Sequence, residues 1–238
     1  MITAGIFTLI VGPLCIAVAT IDKTGRKIYA LGRLWCRLLL ISNGVKVCIK
    51  GLENLEKMKS YVFISNHQSH LDILAAATAI KSPIKFVYKR SLVKIPIFGQ
   101  VLRLARMIPI DRGDTQKAID SINRSARELK NGIGAFFFGE GTRTRDGLIQ
   151  PFKKGGIMFS IRTKLPIVPV TIINGFNLLP KGSLHIKSGT MKIIIDKAIS
   201  TSEYCAENAD LLLDKVRSII AENLKEQNLE LSENRINC

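Results

Sequence analysis

The sequence predicts an α/β fold, in which a single domain with a mostly parallel or mixed central sheet is flanked by helices. Three observations support this prediction. Short β-rich runs alternate with helix-like segments, no repeat or flexible linker divides residues 43–238, and the chain is long enough to bury a core. An uncharged segment and a basic amphipathic segment precede that domain. We therefore divide the chain into a membrane-associated helical pair, residues 1–42, and a globular domain, residues 43–238.

The first element is an apolar run of twenty residues, 1–20, that contains no charged side chain. As a helix it would be ~30 Å long, the thickness of the hydrocarbon core of a bilayer. Pro13 would kink that helix, so a bent or re-entrant anchor is expected as readily as a straight span. A cleaved secretory signal is disfavoured because no Lys or Arg precedes the run. Lys23, Arg26 and Lys27 follow it and would hold the downstream chain on the cytoplasmic side.

The second element is the amphipathic segment KIYALGRLWCRLLLIS, residues 27–42. Arg26, Arg33 and Arg37 fall on one helical stripe beside a face of leucines and Trp35. Such a helix can lie in a bilayer interface, with Trp35 at headgroup depth and the arginines on lipid phosphates. A helix packed on its own domain is the alternative. Because an uncharged anchor comes first, we expect the membrane arrangement.

The remaining elements are seven predicted strands and four predicted helices. The strands are Val45–Ile49, Tyr61–Ser65, Ile84–Tyr88, Met107–Ile110, Ala135–Phe138, Ile167–Ile172 and Met191–Ile195, and the helices are Leu71–Ile80, Thr115–Asn131, Gly155–Thr163 and Ala209–Gln227. Polar clusters follow three of the strands: SNHQSHLD after Ile64, DRGDT after Ile110 and GEGTRTR after Phe138. In a parallel sheet, sites collect at the carboxyl ends of strands. We therefore expect these clusters to form one site.

Charge and cysteine content restrict the partners and the compartment. The formal charge is +16; eight acidic and four basic residues lie from Ser200 onward, so residues 1–199 carry about +20. A body this basic favours an anionic partner such as phospholipid, a phosphorylated substrate, an acidic carrier protein or nucleic acid. The five cysteines are scattered and odd in number, which predicts reduced thiols rather than a disulfide framework or a zinc site: Cys15, Cys36, Cys48, Cys205 and Cys238.

The cluster SNHQSHLD, residues 65–72, is open to three interpretations. Ser69 and Asp72 have capping-box spacing, which predicts a helix that starts at Ser69. His67 would then lie in the preceding loop, where it could fold back onto Asp72 as an acid/base pair. A metal site built on His67, His70 and Asp72 is disfavoured, because the remaining histidine, His185, has no metal-binding motif around it. Asp72 could serve both as part of the helix cap and as the partner of His67.

The cluster FFFGEGTRTR has the composition of an anion-binding loop. Gly139 and Gly141 allow backbone N–H groups to turn inward, Thr142 adds a hydroxyl and Arg143 a bidentate donor. A polar surface hairpin is the alternative. The sequence has no G-x-S-x-G elbow and no cysteine near a catalytic-looking histidine. A His–Asp pair without a nucleophile implies that the substrate brings its own hydroxyl.

These residues resemble the glycerolipid acyltransferases. NHQSHLD is similar to that family's N-H-x-x-x-x-D motif, and PIDR, GEGTR and IVPV follow in its order. FVYKRSLVKIPIFG resembles the segment between its first two motifs. The resemblance covers residues 45–198, and the amino-terminal helical pair also resembles bacterial members. One departure is Gly139, where the family usually has proline.

The resemblance implies a role for each matching position. His67 and Asp72 would be the catalytic residues, as general base and as its orienting partner. Substrate would be bound by the following residues: Lys89, Arg112, Glu140, Gly141, Thr142 and Arg143. Within that family, the sequence resembles the 1-acyl-glycerol-3-phosphate acyltransferases. The domain at 43–238 would accordingly be an acyltransferase catalytic domain.

The implied reaction moves an acyl group from acyl-CoA or acyl carrier protein to the sn-2 hydroxyl of 1-acyl-glycerol-3-phosphate, giving phosphatidic acid. It needs no metal, no covalent acyl-enzyme and no cofactor beyond the acyl donor. Expected partners are lysophosphatidic acid, anionic membrane phospholipid and the acyl donor, with the catalytic domain on the cytoplasmic face. Nucleic acid is not expected, because no aromatic stacking platform accompanies the arginines. Alternatives are a sibling enzyme that acylates glycerol 3-phosphate or a lyso-aminolipid, and a non-catalytic membrane protein that binds anionic lipid.

Overall fold

The computed structural model describes residues 2–22, 24–110 and 125–232. Two helices come first, α1 (Ile2–Ala19) and α2 (Arg26–Ser42). The domain then follows as β1 (Val45–Lys50), β2 (Val62–Ser65), α3 (Leu71–Ala79), β3 (Ile84–Lys89), α4 (Phe98–Leu104), β4 (Ile108–Ile110), β5 (Gly134–Phe138), α5 (Gly155–Thr163), β6 (Ile167–Ile173), α6 (Gly175–Leu178), β7 (Gly189–Ile195) and α7 (Ala209–Ser232). All seven predicted strands form, each within two residues of its predicted bounds.

The strands make one mixed sheet in the order β1-β7-β6-β2-β5-β3-β4. Every neighbouring pair is parallel except β6 and β7, which are antiparallel. The β6 strand is buried along its whole length, as expected for a central strand covered on both faces. The predicted α/β fold with a mostly parallel, mixed sheet is therefore confirmed.

Two apolar cores cover the two faces of the sheet. Successive side chains of a strand point to opposite faces: Phe63 and Phe136 pack with α2 and α3, whereas Ile64 and Phe137 pack with α5 and α7. The layers are thus helix, sheet and helix. With both faces of the sheet covered, the strand ends are the natural place for a site.

The amino-terminal helices form as predicted, but α2 packs on the domain. It buries Tyr29, Cys36 and Leu40 in the α3-side core. The Arg33 guanidinium donates to the carbonyls of Ala77 and Thr78 at the end of α3, each at 3.0 Å. Arg33 therefore caps α3 and is not free for lipid phosphate, contrary to the prediction.

Trp35 also packs on the protein. Its ring is partly buried and packs beside Phe98 of α4, with ring centroids 6.2 Å apart. The indole therefore lies in a contact of α2 with α4, as in the alternative of a helix packed on its own domain; its depth in a bilayer stays a prediction. Helix α1 contacts both α2 and α4 through a third apolar cluster that contains Val11 and Cys15. Among the described helices, none combines the length and the apolar character needed to cross a bilayer.

Two further predictions have mixed outcomes. The helix expected at Thr115–Asn131 lies mostly outside the described residues, and its described part is helical only at 125 and 126.

Cys15, Cys36 and Cys205 are free thiols, as expected. Cys48 is in a disulfide bond, so the prediction of reduced cysteines is wrong at that position.

Candidate active site

The candidate site lies where neighbouring parallel strands end. Ser65, the last residue of β2, pairs with Phe138, the last residue of β5. Lys89, the last residue of β3, pairs with Ile110, the last residue of β4. Because β2, β5, β3 and β4 are consecutive in the sheet, their carboxyl ends share one edge. The three predicted clusters therefore do follow strands that end at the same edge.

His67 and Asp72 meet as the sequence suggests. His67 Nδ1 lies 3.0 Å from Asp72 Oδ2, and the carboxylate is fully buried. Helix α3 begins only at Leu71, so His67 belongs to the preceding loop and can fold back. The same Asp72 oxygen accepts the backbone N–H groups of Gln68 at 2.6 Å and Ser69 at 2.7 Å. The Ser69 bond is the acid-to-cap half of the predicted capping box.

The imidazole of His67 is fixed from a second side. Its ring stacks on Phe138, with centroids 3.9 Å apart and planes inclined by 19°. The side chain keeps 12% of its surface exposed. With Nδ1 committed to Asp72, the other ring nitrogen is the one available to exchange a proton with a bound group. Ring orientation is thus set by a carboxylate and by an aromatic face.

Asn66 is a site residue that sequence reasoning missed. Its buried amide donates to the carbonyl of Ile172 at 2.8 Å and accepts the N–H of Ile172 at 2.9 Å. This pair continues the β2–β6 ladder by one step beyond Ser65, immediately before His67. The available signal was an asparagine directly after a buried strand, but its partner is 106 residues away.

Glu140 contacts the loop that carries His67. Its Oε1 accepts the N–H of His67 at 2.7 Å and its Oε2 accepts the N–H of Gln150 at 3.3 Å. The residue is 4% exposed, and this burial raises the pKa of the carboxyl to about 7. Thr144 donates its N–H to the carbonyl of His67 at 3.0 Å. The 140–144 loop therefore holds the His67 backbone at both of its polar groups.

Gly139 has a structural reason to differ from the family's proline. A Cβ at this position would lie 2.5 Å from the ring of Phe152, which occupies that space. The Gly139 N–H also donates to the carbonyl of Ser65 at 2.8 Å, a bond that proline cannot make. Phe152 and this bond thus hold the loop in place of a rigid proline.

Two of the predicted cationic residues, Arg143 and Lys89, lie at the same sheet edge. Partial burial lowers the pKa of the Arg143 guanidinium, while the negative charge of Asp72 acts in the opposite direction, so the two groups are within electrostatic reach. Lys181 donates to the carbonyl of Arg143 at 3.1 Å. Lys89 is exposed at the end of β3. Arg112 lies outside the described residues.

The other predicted loop residues are distributed around this edge. Gly141 adopts a φ of 71°, a conformation that favours glycine, and donates to the carbonyl of Phe138 at 3.0 Å. Thr142 and His70 are exposed, as is His185. Within the described ranges, no three His, Cys, Asp or Glu side chains form a group that could hold a metal ion. The roles of these residues stay predictions.

Comparison with known proteins identifies the family. The model of the Acyltransferase family matches residues 46–173. A chloroplastic 1-acyl-sn-glycerol-3-phosphate acyltransferase of Brassica napus is 35% identical over 85% of this chain and 58% of its own length. The 1-acyl-sn-glycerol-3-phosphate acyltransferase of Saccharomyces cerevisiae is 32% identical over 93% of this chain and 73% of its own length. The chain thus spans little more than half the length of the chloroplastic relatives from Brassica napus and Arabidopsis thaliana.

A solved structure shares the fold. The 1-acyl-sn-glycerophosphate acyltransferase PlsC of Thermotoga maritima superposes with a TM-score of 0.77 at 23% identity, covering 94% of this chain and 91% of that one. The family match includes β2, β5 and β6 and therefore the loop that carries His67 and Asp72. The chain belongs to the Acyltransferase family.

Proposed function

We propose that the protein is a 1-acylglycerol-3-phosphate O-acyltransferase, which acylates the sn-2 hydroxyl of lysophosphatidic acid to give phosphatidic acid. The observation that carries this proposal is the His67–Asp72 contact at an open sheet edge. The two serines beside this pair in the described loop have their hydroxyls turned to backbone: Ser65 Oγ donates to the carbonyl of Asn66 and Ser69 Oγ to that of Leu179. A general base without an enzyme nucleophile suits a hydroxyl supplied by the acceptor.

The reaction then needs one base and one tetrahedral intermediate. His67 takes the proton of the sn-2 hydroxyl, and the oxygen attacks the thioester carbonyl of acyl-CoA or acyl carrier protein. The new C–O bond forms, the C–S bond breaks, and the leaving thiolate takes the proton back from the imidazolium. Asp72 holds the ring tautomer and stabilises the transient charge. No covalent acyl-enzyme, metal or cofactor takes part in this sequence.

The acceptor phosphate is assigned to the basic groups around His67. Arg143 offers a planar fork for phosphate oxygens, and Lys89 and Arg112 add charge from neighbouring strand ends. Arg143 is the best supported of the three because it lies within electrostatic reach of Asp72. This arrangement would place a glycerol hydroxyl, a few bonds from the phosphate, beside the imidazole.

The amino-terminal helices are proposed to bring the site to the cytoplasmic face of a membrane. Helix α1 exposes four large apolar side chains, each at least half exposed: Ile6, Leu9, Ile10 and Leu14. Their spacing puts them on one side of the helix. An apolar face on a chain of charge +16 suits a bilayer that contains anionic lipid. The α1 face would lie in that bilayer while α2 joins it to the domain.

The decisive test is mass spectrometry of the products. Purified protein receives equal amounts of lysophosphatidate, glycerol 3-phosphate and a lyso-aminolipid, with acyl-CoA in one series and acyl carrier protein in the other. We expect phosphatidic acid to dominate in at least one series. Acylation of another acceptor in preference would refute the lysophosphatidate assignment, and no acyl transfer in either series would refute the proposal as a whole.

Arg143→Ala tests the phosphate assignment. The variant should raise the KM for lysophosphatidate by about tenfold or more, the effect of losing a charge-assisted hydrogen bond, with the KM for acyl donor nearly unchanged. Arg145→Ala is the matched control, since Arg145 is an exposed arginine of the same loop. Equal increases for acceptor and donor would contradict the phosphate role.

A further inference from the structure

The fully buried carboxylate of Asp72 uses its two oxygens very unequally. Oδ2 receives the contacts from His67, Gln68 and Ser69. Oδ1 has no hydrogen-bond partner within the described part of the chain. Its neighbour is Gly175, the first residue of α6: a Cβ built on Gly175 would lie 2.3 Å from Oδ1. A side chain at position 175 and the observed Asp72 carboxylate therefore cannot occupy the same space.

The backbone gives no other reason for glycine at this position. Gly175 does not have a positive φ, and it begins a helical turn, in which alanine is normally preferred over glycine. The preceding residue, Asn174, takes the left-handed conformation instead, with φ 71°. What position 175 requires is therefore space and not conformational freedom.

Hydrogen bonds also hold the turn around Gly175 to the loop that carries His67 and to strand β7. Ser69 Oγ donates to the carbonyl of Leu179 at 2.8 Å and accepts the N–H of Leu71 at 3.2 Å. Asn174 is tied to the neighbouring strand β7 by a 2.8 Å bond from its amide to the carbonyl of Thr190. Because both ends of the turn are held, it cannot simply move away from a larger side chain. An added methyl group would instead displace the Asp72 carboxylate.

From this geometry we infer that Gly175 is a positioning residue of the reaction: its missing side chain sets where the Asp72 carboxylate stands and so where His67 is held. Gly175 acts chiefly through Asp72, because Oδ1 is by far the nearest atom to a built Cβ; Ser69 Cβ follows at 3.1 Å and Met191 Cε at 3.3 Å. The inference rests on the proposed general-base role of the His67–Asp72 pair. It adds the β6–α6 turn to the parts of the fold that determine turnover.

Gly175→Ala is the primary variant, and Gly155→Ala is its matched control. Gly155 is likewise the first residue of a helix, α5, and has no atom within 4 Å of a built Cβ. We expect Gly175→Ala to lower kcat by about 10²-fold, the effect of a misplaced catalytic group, with the KM for lysophosphatidate changed by less than about twofold. Gly155→Ala should change neither. Retention of wild-type kcat by Gly175→Ala would overturn the inference.

Two backgrounds test whether the effect runs through Asp72. Asp72→Asn keeps the shape of the side chain but lacks the charge, so adding Gly175→Ala should lower kcat by less than a further twofold or so, because the two changes are not independent. Multiplication of the two losses would overturn the inference. The second background, Asp72→Ala, removes the oxygen that the new methyl group would meet and is used for the measurement of stability.

Thermal unfolding supplies a readout that does not need activity. Gly175→Ala should lower the Tm by about 4–8 °C in the wild-type background, as overpacking does in a domain of this size, and by much less in the Asp72→Ala background. If Gly175→Ala is insoluble in the wild-type background but soluble when combined with Asp72→Ala, the contact is supported. If Gly175→Ala is insoluble in both backgrounds, or lowers the Tm equally in both, the contact is refuted. Should the wild-type protein show no acyl transfer, the proposed function fails while this cycle still reports on the contact.

Discussion

Replacing the buried Glu140 carboxyl by an amide should change how stability depends on pH. Glu140 Oε1 accepts the His67 N–H at 2.7 Å, and Oε2 accepts the Gln150 N–H at 3.3 Å. Glu140→Gln keeps an oxygen for the shorter of these bonds and has nearly the same volume. It removes the ionisation and the acceptor of the longer bond. Since the loss of that bond does not depend on pH, the pH dependence of the difference from wild type isolates the titration of one carboxyl.

The magnitude follows from the pKa of that carboxyl. Burial raises the pKa of Glu140 from its ordinary value of 4.5 to about 7. Between these values the folded protein keeps a proton that the unfolded chain has released, so rising pH favours unfolding. At 1.36 kcal/mol for each pKa unit, the loss is about 3 kcal/mol between pH 4.5 and pH 7. The contribution is complete below about pH 4.5 and lost above pH 7.

Urea denaturation at pH 5, 6, 7 and 8 measures this effect, with the fluorescence of Trp35, the only tryptophan, as the probe. The free energy of unfolding of wild type should fall relative to that of Glu140→Gln by most of about 3 kcal/mol across this range. Glu56→Gln, at an exposed glutamate, serves as the control for loss of one negative charge. Parallel pH profiles for wild type and Glu140→Gln would refute the reasoning.

Three further substitutions test local contacts. Asp22→Ala should lower the free energy of unfolding by about 1–2 kcal/mol, because the carboxylate accepts five hydrogen bonds from residues 24–28 in the turn between α1 and α2; an unchanged urea midpoint would contradict this. Gly139→Pro should lower the free energy of unfolding by about 3 kcal/mol. Adding Phe152→Ala removes the ring and should restore part of that stability; no recovery in the double variant would show that the ring is not the obstacle. Arg33→Met should cost about 2 kcal/mol of stability through the lost α3 cap while leaving binding to anionic vesicles unchanged, and weaker vesicle binding at constant stability would restore the lipid role for this arginine.

The strands and most helices were predictable because their signals are local. Each strand is a β-branched or aromatic run bounded by turn residues, and such runs need no knowledge of distant contacts. Helix α4 was missed because FGQVLRL is short and contains a glycine, so its periodicity is weak. The reversed direction of β7 relative to β6 depends on pairing between distant strands, which periodicity does not report.

The same distinction applies to the site. The contact between His67 and Asp72 spans five residues and follows from where α3 begins, so it could be predicted. Asn66 and Gly175 were missed because each acts through a partner on another element of the sheet or its connections. The stripe that contains Arg33 was correctly seen as one face of a helix. Its partner was misjudged, since amphipathicity does not say whether protein or lipid covers a face.

The turnover of His67→Ala tests the central claim most directly. In a lysophosphatidate acylation assay, this variant should lose at least about 10²-fold in kcat, the usual worth of general-base assistance, with unchanged binding to anionic vesicles. His185→Ala, at an exposed histidine, is the matched control and should keep wild-type turnover. A folded His67→Ala protein that acylates lysophosphatidate at close to the wild-type rate would contradict the account.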